Sequence, residues 1–380
     1  MGMRKRVVVL GCGFGGLKTL LTLHRKGGRH LELVGINKRP FLYNYPILPR
    51  LLTRSLPEEA VLIPLQKRLQ GTGITLLVEN ALAVDASRQA VITTQGAIEY
   101  DYLVLALGVK AKSVARGEET PLFFPKSLRH LYQLKTFITK MLQQGGGGAS
   151  FPRPKLTLAV IGGGLTGVEF SACLRAFLDQ QTRALRLPQE TASLLLLERK
   201  ERIAEECPPE VSEAITHSLL QQGITLKLHT DVWWVEQQLL LSNQGSMQAD
   251  GILCCIGTEW RPTVDLKELE STAQGIPVNR YLQVPQHPSV FAVGDNAVFR
   301  PHGVEIPLPR RASVAFQQAK TVAENILRDI RGLPPHPYVP RPLPLAVTLG
   351  PHQGLIEYRG WLTVGRLAGK IKAYYETCCL

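Results

Sequence analysis

The stretch RVVVLGCGFGGLKTLLTLHRKG, residues 6–27, decides the fold. Its opening, RVVVL, is β-branched, apolar and bounded by glycine, as a short buried strand requires. GCGFGG follows, and then LKTLLTLHRKG, which reads as an amphipathic helix ending at Gly27. Gly11, Gly13 and Gly16 therefore fit G-x-G-x-x-G between a strand and a helix. Gly11 permits the tight turn, Gly13 lets a pyrophosphate approach the backbone, and Gly16 lets the helix pack close to the strand. The helix N-terminus then faces phosphate charge. Gly15 lies in the same turn and joins the candidate cofactor-binding set. A second strand, LELVGI (31–36), follows at the expected interval. Its end should carry an acid for a ribose hydroxyl. The residues there are Asn37 and Lys38, and an amide is a weaker partner for a hydroxyl than a carboxylate.

The pattern recurs about 150 residues later. LTLAVIGGGLTGVEFSACLRAFL (156–178) holds a strand, then Gly162, Gly164 and Gly167, then a helix. The next strand, ASLLLLE (192–198), ends at Glu198, the acid that the first copy lacks. A carboxylate there accepts from a ribose 2′-OH and repels a 2′-phosphate, so NADH is expected over NADPH, although Arg199 and Lys200 follow at once. Two such turns imply two Rossmann-like domains. Between them QQGGGGASFPRP (143–154) has the composition of a flexible linker.

The remaining composition is that of a globular protein. The chain has 380 residues, 44% hydrophobic and 20% charged, which excludes a disordered, collagen-like or disulfide-miniprotein class. No run of about 18 uninterrupted apolar residues predicts a spanning helix. The basic start (Arg4, Lys5, Arg6) before an apolar run imitates a signal peptide, but the glycines explain that run better. Net charge is +13, which implies an anionic partner such as a nucleotide cofactor or acidic lipid. Nucleic acid is not expected, because the basic residues are spread and no recognition motif appears. The seven cysteines, Cys12, Cys173, Cys207, Cys254, Cys255, Cys378 and Cys379, show no C-x-x-C or zinc spacing, so no metal is expected. They read as buried thiols in a reducing compartment.

Two further strand ends complete the set. YDYLVLALGVKAK (100–112) ends a strand at Gly108, and HPSVFAVGDNAVF (287–299) ends one at Gly294-Asp295. In this order the motifs resemble the flavoproteins with two dinucleotide-binding domains, and most closely the type II NADH dehydrogenases. The resemblance spans roughly residues 5–335. FLYNYPILPRLLTRSLPEEAVLIPL (41–65) looks like that group's loop and helix after the second strand. RASVAFQQAKTVAENI (311–326) looks like its Ala-Gln-x-x-x-Gln helix, and GGGLTGVEF matches its second glycine turn.

The resemblance implies an α/β protein of glutathione-reductase-like architecture. An FAD domain would comprise 1–118 and 272–340, an NAD(P)H domain would be inserted at 119–271, and a C-terminal quinone-side region would cover 341–380. The first turn would bind FAD, with Asp295 on the ribityl chain and Gly108 and Gly294 in the adjoining turns. The second turn would bind NADH, or NADPH, with Gly257 in a loop near the nicotinamide. Glu169 would lie near the nicotinamide–flavin junction, and Gln317 would contact flavin or quinone. These two are the candidate catalytic residues. Ser313 stands where that helix has its first Gln, and this departure bears on the quinone contact. The implied reaction is NADH to FAD to quinone. The alternatives are a reductase serving a ferredoxin- or rubredoxin-like protein, for which the positive surface would suit an acidic partner, and a sulfide:quinone-type reductase. Residues 41–65 contain no Cys, so the dithiol exchange of the disulfide reductases is not expected.

The tail GRLAGKIKAYYETCCL (365–380) reads as a short helix with Leu367, Ile371, Tyr374 and Cys378 at helical spacing. Arg366, Lys370 and Lys372 add basic charge. Such a segment fits lying on an anionic membrane surface, against the alternative of a helix docked on the protein's own core. The expected location is peripheral, on the cytoplasmic face of a membrane, with a homodimer left open. On this basis removing 361–380 should release a folded protein from the membrane. LPPHPYVPRPLPL (333–345) reads as an extended, Pro-rich connection.

Overall fold

The computed structural model describes residues 4–54, 56–117, 120–144 and 156–378. Most of the Gly/Pro linker expected at 143–154, and Cys379 at the tail, lie outside these. The chain forms two compact units, one of residues 1–43, 62–110 and 259–343, the other of 44–61, 111–258 and 344–380.

In the first unit the quoted stretch forms strand β1 (Lys5–Leu10) and helix α1 (Phe14–Gly27). Strands β2 (Leu31–Asn37) and β3 (Thr75–Val78) extend the sheet on one side of β1, and β4 (Tyr102–Leu105) and the strand His287–Ala292 extend it on the other. All of these pairings are parallel. Val7, Val8 and Val9 are fully buried, as both-face burial of a parallel sheet demands. The strand order reverses at β1, so the carboxyl ends of β1 and β4 flank a switch point, where open α/β sheets bind ligands. The helix Ala312–Ile330 packs against α1. Phe14 meets Phe316 edge to face, with centroids 5.8 Å apart.

The second unit repeats the plan. Strand β5 (Leu156–Ile161) is central, with Gly251–Cys254 and Leu122–Phe123 on one side and Ala192–Leu197 and Thr225–Lys227 on the other, all parallel. Helix α2 (Leu165–Ala184) leaves β5 through the second glycine turn. A three-stranded antiparallel sheet, Leu345–Thr348, Gly354–Tyr358 and Trp361–Gly365, precedes helix α3 (Arg366–Cys378).

The three C-terminal strands were not anticipated from the sequence, and they assign the C-terminal part to the second unit. The Pro-rich segment does lack regular structure over residues 333–344, since prolines supply no ladder donors. No helix among the described residues is long and apolar enough to cross a membrane.

Candidate functional site

At the first turn Gly11 has φ +96°, and a Cβ there would lie 2.3 Å from the Ala106 carbonyl oxygen. A Cβ on Gly16 would lie 1.8 Å from the Gly11 oxygen. Both positions therefore exclude any side chain. Gly13 differs: a Cβ there meets nothing within 4 Å, and it is the N-cap of α1 with no side chain capping the helix. The open backbone and uncapped N–H groups form a cradle for anionic oxygens. Gly15 has Val293 Cγ2 at 3.0 Å from its built Cβ, which ties it to close packing of α1.

The two other turns of this unit, Gly108 and Gly294, have φ +68° and +77°, and a Cβ on Gly108 would stand in open space. Two residues overlooked in the sequence hold them. Asn296, fully buried, accepts the Gly108 N–H on Oδ1 at 3.1 Å and donates Nδ2 to the Leu105 carbonyl at 3.0 Å. Gln318, also buried, accepts the Gly294 N–H on Oε1 at 2.8 Å. The signal for Asn296 was its place after Gly294-Asp295. Gln318 was hidden behind Gln317. The Asp295 carbonyl accepts from Arg310 Nε at 3.1 Å.

Asn37 turns its amide inward. Its Oδ1 accepts the Cys12 N–H at 2.8 Å, and its Nδ2 donates to the Arg39 carbonyl at 2.7 Å. Lys38 is exposed. Gln317 spends both ends of its amide on Arg341, accepting the backbone N–H at 2.8 Å and donating to the carbonyl at 3.0 Å. It thus ties the Pro-rich segment to the helix.

The second turn has the same construction. Gly162 has φ +102° with the Cys255 carbonyl oxygen 2.5 Å from its built Cβ, and Gly167 has the Gly162 oxygen at 1.8 Å. Gly164 is the N-cap of α2, and the Glu206 carboxylate sits at this helix start, its Oε1 accepting the Leu165 N–H at 3.3 Å and lying 3.7 Å from a Cβ built on Gly164. Glu198 stands where Asn37 stands in the first unit and makes the equivalent bond, Oε2 accepting the Gly163 N–H at 2.6 Å, while Oε1 accepts the Lys200 N–H at 3.0 Å. The Lys200 ammonium is paired with Glu205. Gly257 has φ +95° and open space before it.

Glu169, five residues into α2, has two partners on Oε1: the Thr348 N–H at 2.9 Å and Lys372 Nζ at 3.2 Å. Lys372, expected to add surface charge, is instead turned inward. Burial by itself would push its ammonium down, but Glu169 and Glu376 outweigh this and hold it above the ordinary lysine range. α3 docks through Ala368, Lys372 and Glu376, while Leu367, Ile371, Tyr374 and Tyr375 face outward beside Trp361, which is 82% exposed.

Cys12, Cys173, Cys207, Cys254 and Cys255 are buried thiols. Burial pushes the Cys12 thiol up to about 12 and raises Cys173, Cys254 and Cys255 as well. Thiols in that state are poor nucleophiles. Among the described residues no cluster of three or more His, Cys, Asp or Glu side chains could hold a metal ion.

Residues 5–319 match the pyridine nucleotide-disulphide oxidoreductase family. The chain belongs to that family. It carries the family's two dinucleotide-binding domains on a mixed α/β frame. A type II NADH:quinone oxidoreductase of Staphylococcus aureus is 25% identical, covering 98% of this chain and 94% of that protein. Among solved structures, sulfide:quinone oxidoreductase from Aquifex aeolicus superposes with TM-score 0.82 at 22% identity, covering 98% of this chain and 90% of the other. NDH2 from Plasmodium falciparum, solved in complex with NADH, gives TM-score 0.82 at 16% identity, covering 97% and 93%.

Proposed function

We propose that the chain is an FAD-dependent oxidoreductase that takes reducing equivalents from NADH and delivers two electrons to a quinone. The observation that carries this is the duplicated turn: two parallel sheets, each with a tight glycine turn leading from its central strand into a helix. The name of the S. aureus relative supplies the quinone. The sulfide:quinone alternative requires reactive thiols, and burial raises the thiols of Cys12, Cys173, Cys254 and Cys255.

FAD fits the first unit. Gly11, Gly13 and Gly16 would receive its pyrophosphate, and Gly108, Gly294 and Asp295 would border the rest of it. When bound, FAD supplies the two-electron redox chemistry that links nicotinamide and quinone. The protein provides position and electrostatics. Asn296 and Gln318 hold the two left-handed turns open by bonding their N–H groups. Asn37 stiffens the first turn through Cys12, and Lys38 beside it adds a positive charge near phosphate.

NADH fits the second unit. Gly162, Gly164 and Gly167 would take the pyrophosphate at the N-terminus of α2, and Gly257 would leave room near the nicotinamide. Glu198 presents negative charge where a 2′-phosphate would lie, and the Lys200–Glu205 pair occupies a cation that could otherwise attract one. Both favour NADH. Glu169 serves the nicotinamide end of the bound nucleotide, held by Thr348 and Lys372. Gln317 fixes the Pro-rich segment and so shapes the acceptor side.

The outward apolar face of α3, with Arg366 and Lys370 exposed beside it, supports peripheral binding to an anionic membrane surface. The buried thiols fit the reducing, cytoplasmic side.

The test is rapid mixing of the purified yellow protein with NADH or NADPH, followed by a short-chain quinone. Loss of flavin absorbance with NADH and its return with quinone are expected. No return with quinone would move the acceptor to a protein. No loss with either nucleotide would remove the proposed activity.

A further inference from the structure

Four charged side chains from three separate segments meet inside the second unit, Arg50 and Glu376 buried and Glu169 and Lys372 each 13% exposed. Arg50 comes from the helical turn Tyr45–Leu52, Glu169 from α2, and Lys372 and Glu376 from α3. Arg50 Nε donates to Glu376 Oε2 at 2.5 Å, and these two side chains are only 5% and 2% exposed. The Arg50 guanidinium also donates to the Gly369 carbonyl at 3.3 Å, and Asn44 Nδ2 donates to the Glu376 carbonyl at 3.0 Å. Lys372 Nζ lies 3.2 Å from Glu169 Oε1 and 3.5 Å from Glu376 Oε1. Two cations face two anions, which a buried cluster requires.

Lys372 thus has two carboxylates to choose between. Arg50 engages Glu376 on its far oxygen and satisfies much of that charge. The lysine is left closer to Glu169, whose Oε1 it shares with the Thr348 amide. We propose that Arg50 is a positioning residue: by holding Glu376 it leaves Lys372 to Glu169 and so fixes the Glu169 carboxylate beside the second glycine turn. This rests on the assignment of Glu169 to the nicotinamide end of the nucleotide.

The other titratable groups around this point are few. Cys173 is one turn further along α2, its thiol raised first by burial and then by the Glu169 charge. Arg54, just past the Arg50 turn, donates to the Pro351 carbonyl at 2.7 Å and meets His352 Nδ1 at 3.3 Å. Lys135 donates to the Leu51 carbonyl at 2.9 Å. None of these takes the place of Arg50 on Glu376. Burial raises the Glu376 carboxyl, with Lys372 and Arg50 opposing, so without Arg50 it depends on Lys372 alone and draws it away from Glu169, which then leans on the Thr348 amide.

An ionised carboxylate near a cationic nicotinamide favours NAD⁺, so NAD⁺ affinity reports how well Glu169 is held. The experiment measures NAD⁺ affinity by tryptophan fluorescence on the flavin-loaded full chain at neutral pH, alongside thermal midpoints. In Arg50→Gln the affinity is expected to fall about fivefold, because Lys372 is drawn toward Glu376 and the Glu169 carboxylate is less firmly placed. Glu376→Gln, which removes the competitor, is expected to tighten it. The double variant R50Q/E376Q should restore the wild-type affinity, and Arg50→Lys should lose less than Arg50→Gln.

If Arg50→Gln does not fold, Glu376→Gln and the double variant carry the test. Affinities that stay at the wild-type value in every variant, with only thermal midpoints changed, would overturn the proposal and leave a structural tie. Glu169→Gln should weaken NAD⁺ at least as much as Arg50→Gln. If it leaves NAD⁺ affinity unchanged, the assignment of Glu169 fails and this proposal falls with it, whatever the residue at position 50 does.

Discussion

At the residue scale, the two units solve one problem with different chemistry. An acceptor at the end of the second strand must satisfy the N–H of the middle residue in the G-x-G turn. Asn37 does so for Cys12 and Glu198 for Gly163. An amide suffices for this task, which is why the missing acid in the first copy does not spoil the turn. Charge becomes separable from shape at Glu198. Glu198→Gln keeps an acceptor for Gly163, so NADH KM should rise about threefold to tenfold while NADPH KM stays level or falls, as expected when a charge-assisted bond is weakened. Equal changes for both nucleotides in steady-state kinetics would remove Glu198 from the ribose. Glu198→Ala should do worse with both, because it also strands a backbone donor. Gln318→Leu strands the Gly294 N–H in the same way, and it should lower stability by about 1–3 kcal/mol and weaken flavin retention. Denaturant unfolding and the flavin content after gel filtration would measure both.

Lys372 adds a pH dependence with a definite sign. Its ammonium is held above the ordinary range, with burial opposing and Glu169 and Glu376 prevailing. A raised folded-state value stabilises below the unfolded value, about 10.4 for lysine, and that stability is lost as pH rises through the folded one. Thermal midpoints should therefore fall in strongly alkaline buffer, and less steeply in Lys372→Met, whose neutral-pH midpoint is lower from the start.

At the element scale, α3 overturns one expectation, that Lys372 adds surface charge. Leu367, Ile371 and Tyr374 were legible as a helical stripe, expected on a membrane surface or, as the alternative, docked on the core. The structure docks the other face. Ala368, Lys372 and Glu376 point inward, and Leu367 and Tyr374 are 66% and 65% exposed. Charged residues could be buried here only because Arg50 and Glu169 arrive from distant segments to pair with them, and no local pattern reports that. The consequence for truncation is direct. Deleting 361–380 removes Lys372 and Glu376, takes both acceptors from the buried Arg50 and leaves Glu169 with the Thr348 amide alone, so loss of folding is expected rather than release of an intact enzyme. The outward face can be tested without that damage. Leu367→Ser with Tyr374→Ser should reduce binding to anionic vesicles about tenfold or more, through lost apolar burial, and leave the thermal midpoint unchanged. Unchanged sedimentation with vesicles would argue against this face as the membrane contact.

At the scale of the whole molecule, the net charge of +13 bears on the acceptor. A protein acceptor steered by charge loses kcat/KM steeply as salt rises, whereas a hydrophobic quinone does not. A quinone kcat/KM that is flat between low and moderate ionic strength is expected. A steep fall with an acidic iron–sulfur protein, together with poor quinone turnover, would favour the protein-partner alternative.

The sequence by itself determined both dinucleotide turns, the strands that lead into them, and the family to which the chain belongs. This was possible because a G-x-G-x-x-G turn is a local requirement: Gly11 and Gly16 are demanded by atoms at fixed positions in one strand–turn–helix unit, and the same holds for Gly162 and Gly167. Only the tertiary structure decided the rest. Gln318 rather than Gln317 reaches the Gly294 turn, because one residue of helical rotation separates a buried face from a half-exposed one. Lys372 is a buried partner of Glu169 rather than a surface charge, because the contacts that make its burial tolerable come from residues more than 200 positions away in the chain.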